Sequence, residues 1–235
     1  RRIRPRFLGS LRDSHMQTAI SFDGRVVLVT GGGSGIGSST ARLFSRAGAR
    51  VAVVDIQEDA AAAIVRQIQE SGGEAIAIRA DVSKDADNRA AIDRVLTTWG
   101  RVDIFHANAG VPHWPTAIED LEEATVDQVL MVNVKGVLLG IKHVAPAMKR
   151  QKRGVILITG SAAGIRPRQG MHCYSASKAA VHLLGKALAL ELAPFGVRVV
   201  VLAPGGTETP MFPAFVGKVE VDEQAMTRYR GNVPL

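Results

Sequence analysis

The chain has 235 residues, 46% hydrophobic and 22% charged, which is material for one full core and the usual size of a single domain. Its formal charge of +7 is concentrated in an arm: residues 1–15 carry +4 through Arg1, Arg2, Arg4, Arg6 and Arg12 against Asp13, leaving +3 for the rest, which argues against a nucleic-acid partner. The lone Cys173 excludes an internal disulfide, and no run of eighteen uninterrupted apolar residues marks a bilayer span, so a soluble, cytoplasmic protein without a membrane partner is expected.

The arm ends in Ser14-His15-Met16, which looks like a cloning junction before a natural start at Met16, so residues 1–15 are set apart from one domain over 16–235. From Arg25 onward, short apolar runs alternate with longer amphipathic stretches, the pattern of an α/β, doubly wound parallel sheet of Rossmann-like type. The first strand, Val26–Thr30, runs into a glycine turn and a helix over Gly35–Ala47. Glycine there tolerates positive φ and lets backbone N–H groups and the helix N-terminus approach a pyrophosphate, which makes Gly31, Ser34, Gly35, Ile36 and Gly37 candidate cofactor residues. A second strand, Val51–Asp55, ends on a carboxylate placed to accept hydrogen bonds from both hydroxyls of an adenosine ribose and to repel a 2′-phosphate. Neither Ser34 nor Ile56 offers a cation to such a phosphate, so NAD is favoured over NADP.

A helix over Glu58–Glu70 leads to the strand Ala75–Ala80, which delivers Asp81 and Val82. After a helix over Lys84–Trp99, the strand Val102–His106 delivers Asn108-Ala109-Gly110, and a single long helix over Thr125–Lys149 carries Asn133. Ser161 follows the strand Val155–Thr159. The helix Cys173–Ala193, stopped by Pro194 and Gly196, holds Tyr174 and Lys178 one turn apart and is apolar almost all the way round, so its outer face is expected to be covered. The last strand, Val197–Ala203, delivers Pro204, Gly205, Thr207 and Thr209, and an apolar, proline-interrupted stretch over about 207–220 reads as a lid.

Tyr174 and Lys178 share a helix face, a geometry suited to proton transfer. A phenol titrates near ~10, and the Lys178 ammonium together with a positive nicotinamide is expected to lower that value. In this order along one chain, the glycine turn, Ser161 and Tyr174-x-x-x-Lys178 resemble the short-chain dehydrogenase/reductase family, over about Ser21 to Thr209. The resemblance implies a catalytic set of Asn133, Ser161, Tyr174 and Lys178, with Asn133 supporting a water-linked proton path to the lysine. It implies that Asp81 and Val82 contact adenine, that Asn108, Ala109 and Gly110 line the cofactor, and that Thr209 bonds the nicotinamide carboxamide. Thr207 departs from the family, which usually has Ile or Val there. The resemblance also implies a homodimer or homotetramer built from the Asn-bearing and Tyr-bearing helices, and a further helix and strand that the chain, ending at Leu235, lacks.

The expected activity is NAD-dependent interconversion of a secondary alcohol and a ketone, with Tyr174 as general acid/base. An NADPH-dependent carbonyl or 3-oxoacyl reductase is the alternative, and an NAD-binding interaction protein of weak activity is another. The histidines show no metal-ligand spacing, so no metal is assigned. The substrate pocket is expected to be apolar, from Trp114, Ile165, Met171, Met211 and Phe212, with His113 and His172 as further candidates.

Overall fold

The computed structural model describes residues 21–216 and Thr227; the basic arm, the far part of the lid and the segment Asn232–Leu235 lie outside the described residues. Six parallel strands form one sheet in the order β3-β2-β1-β4-β5-β6. They are β1 (Val26–Thr30), β2 (Arg50–Asp55), β3 (Ala75–Arg79), β4 (Ile104–Ala107), β5 (Gly154–Thr159) and β6 (Val197–Leu202). Helices α1 (Gly35–Arg46), α2 (Glu58–Glu70), α3 (Asp85–Trp99), α4 (Glu123–Leu130), α5 (Gly136–Gln151), α6 (His172–Leu192) and the short α7 (Phe212–Val216) complete the described chain.

Side chains alternate across a strand, and both sides of β1 are apolar, so the sheet builds a core on each face. Val27 and Val29 join Val51 and Val53 beneath Ala41 of α1 and Ala61, Ile64 and Ile68 of α2. On the opposite face, Val26 and Leu28 join Phe105 and Ile156 beneath Ile92 of α3, Ile141 and Val144 of α5, and Val181 of α6. Burying each such Val, Leu or Ile is worth roughly 1.5–3 kcal/mol.

Two elements depart from the expected boundaries. β4 begins at Ile104 and not at Val102; the preceding Asp103 turns its carboxylate to the start of β1, accepting from Val26 N at 3.0 Å and pairing with Arg101 at 2.6 Å. The expected single helix over Thr125–Lys149 is α4 and α5 joined by a π-helical turn at Met131–Lys135, with Pro146 inside α5. Asn133 lies inside this turn: its Oδ1 accepts from Val111 N at 2.8 Å and its Nδ2 donates to Val111 O at 2.9 Å, which ties this helix to the loop after β4. The Glu123–Gln151 stretch is long and apolar enough to cross a membrane by composition, with a mean hydropathy of 1.4. Here its Val137, Ile141, Val144 and Met148 are spent on the sheet core.

Candidate active site

Strand order reverses between β1 and β4, and the carboxyl ends of the strands there surround a cavity of about 610 Å³. The glycine turn forms its floor. Gly31 (φ +61°) and Gly35 (φ +50°) occupy the left-handed region that disfavours other residues. A Cβ on Gly31 would stand 2.8 Å from Ala109 Cα, and one on Gly35 would stand 3.1 Å from Thr209 Cγ2, so the turn is closed to side chains by its neighbours. Asp55 sits at the mouth of this turn, its Oδ2 accepting from Gly33 N at 2.9 Å and its Oδ1 from Gln57 N at 3.0 Å.

A chain of hydrogen bonds fastens the Asn108-Ala109-Gly110 segment to the turn. Asn108 Nδ2 donates to Thr30 O at 3.0 Å and Gly31 O at 3.2 Å, while Thr30 Oγ1 accepts from the amides of Asn108 and Ala109. Thr159 Oγ1 donates to Asn108 Oδ1 at 3.0 Å and is met by His106 Nε2 at 2.9 Å. Lys178 Nζ donates to Thr159 O at 2.8 Å, which brings the lysine into the same frame.

Ser161 caps the 3-10 turn Ala162–Gly164, its Oγ accepting from Ala163 N at 3.1 Å. Ala162 N donates to Pro204 O at 2.9 Å, which joins the serine loop to the segment after β6. Tyr174 is buried, its ring edge-on to Phe215 of α7 at 5.1 Å, and Lys178 Nζ lies 5.7 Å from the Tyr174 ring centre. Burial pushes the phenol above its ordinary value, against a hydrogen bond with the Ser161 hydroxyl that pulls it down. Burial also draws Lys178 down to about 8. Desolvation of the phenolate thus opposes the lowering expected from Lys178 and a positive nicotinamide.

Of the residues singled out in sequence, Gly31, Ser34, Gly35, Ile36, Asp55, Ile56, Asp81, Val82, Asn108, Ala109, Gly110, Ser161, Tyr174, Lys178, Pro204, Gly205, Thr207 and Thr209 line the cavity. Two others stand behind the wall. Gly37 is buried under the turn, where a Cβ would meet Gly31 O and Asn108 Nδ2, and Asn133 is fully buried against Val111 and Ser177, its Nδ2 donating to Ser177 Oγ at 3.1 Å. The Asp81 carboxylate spends one oxygen on its own turn, accepting from Ser83 N at 3.0 Å and Ser83 Oγ at 2.7 Å, which holds it below its ordinary value.

The substrate end is lined by a different set of apolar residues from the one expected. Met211 and Phe212 line it, but Trp114 and Ile165 point outward, Met171 is buried behind Tyr174, and His113 and His172 stack on each other away from the wall. Phe215 of the expected lid lines the cavity too, whereas sequence reading passed over Arg166 and Arg168, which also line it, and over His182. His182 continues the Tyr174–Lys178 face by one more turn, and its Nε2 lies 3.0 Å from Ser161 O, between Gly160 and Gly164. That i, i+4, i+8 spacing was the signal available for it.

These residues fit a dinucleotide: a glycine-rich turn at a helix N-terminus for the pyrophosphate, a strand-end carboxylate for a ribose, and a buried lysine and tyrosine beyond them. The short chain dehydrogenase family matches residues 25–218. Secoisolariciresinol dehydrogenase of Forsythia intermedia is 38% identical over 225 residues, covering 94% of this chain and 80% of that protein. Among solved structures, the 3-ketoacyl-(acyl-carrier-protein) reductase from Brucella melitensis complexed with NADH is 39% identical with a TM-score of 0.80, covering 83% of this chain and 81% of that one. An NAD+-bound xylitol dehydrogenase is 33% identical with a TM-score of 0.77, covering 78% of this chain and 71% of the other.

Proposed function

Since this chain belongs to the short-chain dehydrogenase family, we propose that it interconverts a secondary alcohol and a ketone with NAD, using Tyr174 as general acid and base. It is an oxidoreductase of alcohol and carbonyl groups that works with a nicotinamide cofactor. The observation that carries the finer reading is the placing of Ser161, Tyr174 and Lys178 in the wall of one cavity with the glycine turn.

Gly31, Ser34, Gly35 and Ile36 would hold the pyrophosphate, Asp55 the ribose, and Thr209 with the Pro204–Gly205 backbone the nicotinamide end. When bound, the nicotinamide ring supplies or accepts the hydride. Tyr174 takes the hydroxyl proton of an alcohol or gives one to a ketone oxygen, and the Ser161 hydroxyl bonds that oxygen as its charge develops. Buried and raised, the phenol is protonated near neutrality, which readies it for reduction; oxidation calls for the deprotonated form and is favoured by higher pH. Asn133 acts at one remove, holding Val111 and the helix pair in register. NAD is preferred because the cavity wall around Asp55 is Ile56, Ala80, Asp81 and Val82, without a cation for a 2′-phosphate.

The exposed Leu183 and Leu190 of α6 support a homodimer or homotetramer in which this helix is covered. In Tyr174→Phe, kcat should fall by ~10²–10⁴-fold while NADH binding, read by fluorescence, changes little. An undiminished kcat in that variant rules the mechanism out, and a kcat/KM higher with NADP than with NAD overturns the cofactor assignment.

A further inference from the structure

Lys178 is not the last residue of α6 to reach the end of β5. Its Nζ donates to Thr159 O at 2.8 Å, and one turn farther along the helix the half-buried His182 brings Nε2 to 3.0 Å from Ser161 O. The same nitrogen stands 3.4 Å from Ser161 N. As a donor it bonds the Ser161 carbonyl and as an acceptor the Ser161 amide, so either tautomer ties the ring to the backbone of this serine. His182 does not line the cavity, and the proton and hydride chemistry makes no use of it.

The ring is seated in a slot that two glycines leave open. A Cβ on Gly160 would stand 2.8 Å from His182 Nε2, and one on Gly164 would stand 2.9 Å from its Cδ2. On either side of Ser161 the chain is held by β6 and the segment after it, with Gly160 N donating to Leu202 O at 2.8 Å and Ala162 N to Pro204 O at 2.9 Å. Ser161 itself is reached from the helix that carries Tyr174 two turns earlier. Its hydroxyl accepts from Ala163 N at 3.1 Å and bonds the Tyr174 phenol. The contact with His182 therefore sets the serine relative to the tyrosine, where the neighbouring bonds set it relative to the sheet.

We propose that His182 is a positioning residue for the alcohol–ketone reaction, holding the Ser161 peptide against α6 so that the Ser161 hydroxyl and the Tyr174 phenol face one substrate oxygen. The inference rests on the dehydrogenase reading above. A misplaced serine is felt as charge develops on that oxygen, after cofactor and substrate are bound, so the cost falls on kcat.

The test uses the full chain with NAD and a panel of cyclic and acyclic secondary alcohols, and follows the alcohol that wild type turns over fastest. His182→Leu, which keeps the bulk and removes the polar atom, should lower kcat about tenfold while KM and NADH affinity stay within about twofold. His182→Gln, whose amide can donate or accept at the same reach, should recover kcat to within about threefold of wild type. In a Ser161→Ala background His182→Leu should change kcat by no more than about twofold, since two residues acting through one contact are not additive. In the cofactor-free protein, amide hydrogen exchange across residues 160–164 should quicken in His182→Leu and slow again in His182→Gln. Should the leucine variant not fold, His182→Asn, whose amide is too short to reach Ser161, takes its place in each comparison. An unchanged kcat or exchange rate, a loss that glutamine does not restore, or a loss equally large in the Ser161→Ala background overturns the proposal while leaving the dehydrogenase reading intact. A wild type that binds NADH yet turns over none of the panel overturns that reading, and this inference with it.

Discussion

His106 lies at the centre of β4 with no exposure, its Nε2 meeting Thr159 Oγ1 and its Nδ1 without a hydrogen-bond partner among the described residues. Because Thr159 Oγ1 donates onward to Asn108 Oδ1, it can accept from the imidazole, so Nε2 carries the hydrogen and the ring is neutral. Burial draws its pKa from 6.5 to about 4. Between those values the unfolded chain binds the proton and the folded chain does not, so the stability this ring contributes is full above pH 6.5 and is lost as pH falls toward 4. The loss amounts to about 3 kcal/mol. Urea unfolding from pH 7 to 4 should show this steep acid limb in wild type and a shallower one in His106→Val; parallel limbs would sink the assignment. In the sequence this residue was one histidine without metal-ligand spacing, and its burial and its link to the glycine turn exist only after β1, β4 and β5 are laid side by side. Tyr174, Ser161, Lys178 and Asp55 were legible because each sits at a fixed offset from a strand end or on a helix turn. Arg166 and Arg168 were not, since nothing in a turn's sequence says which way its side chains face.

At the scale of elements, β1 and β2 could be read because they are buried on both faces and so appear as apolar runs rich in Val. The π turn at Met131–Lys135 could not, because the partner that Asn133 meets there, Val111, lies twenty-two residues back across the site. Gly37 shows the same limit more sharply: the glycine pattern marks it as cofactor-binding, while the structure makes it the place where α1 packs on the turn and on Asn108. In Gly37→Ala the methyl would press on the Gly31 carbonyl, a backbone atom that cannot swing aside. Overpacking of this kind costs roughly 1–3 kcal/mol, and the distorted turn should weaken NADH binding about tenfold or more. Gly205→Ala is the stability control, since a Cβ there meets nothing within 4 Å. Thermal melts of the two variants, with NADH titration of Gly37→Ala against wild type, check the contrast; a Gly37→Ala protein as stable as Gly205→Ala would show that the close approach carries no weight.

For the whole molecule, the sheet and its switch point gather one site from the ends of all six strands, and what remains outside that account is the outer face of α6. Its inner side is consumed by the core through Val181 and Leu192, yet Leu183 and Leu190, seven residues and two turns apart, are 70% and 81% exposed. Beside them the groove between α5 and α6 is lined by Leu138, Ala145, Pro146 and Leu188, and closed at one end by the Lys149–Glu191 ion pair at 2.9 Å. The all-round apolar pattern of this helix was visible in sequence, but which of its sides meets the sheet was not, because a pattern without a polar stripe has no phase to read. Pairing two copies across a two-fold axis would take Leu183 and Leu190 of both out of water, each at roughly 1.5–3 kcal/mol. The same helix carries Tyr174 and Lys178 near its start, so covering its outer face would also steady the catalytic side chains from behind. Light scattering of the full chain should therefore give a dimer or tetramer mass, and Leu190→Arg should shift it toward the monomer with a matching loss of kcat. A wild-type monomer, or a Leu190→Arg protein that keeps its mass, would mean that this apolar face has no partner of its own kind.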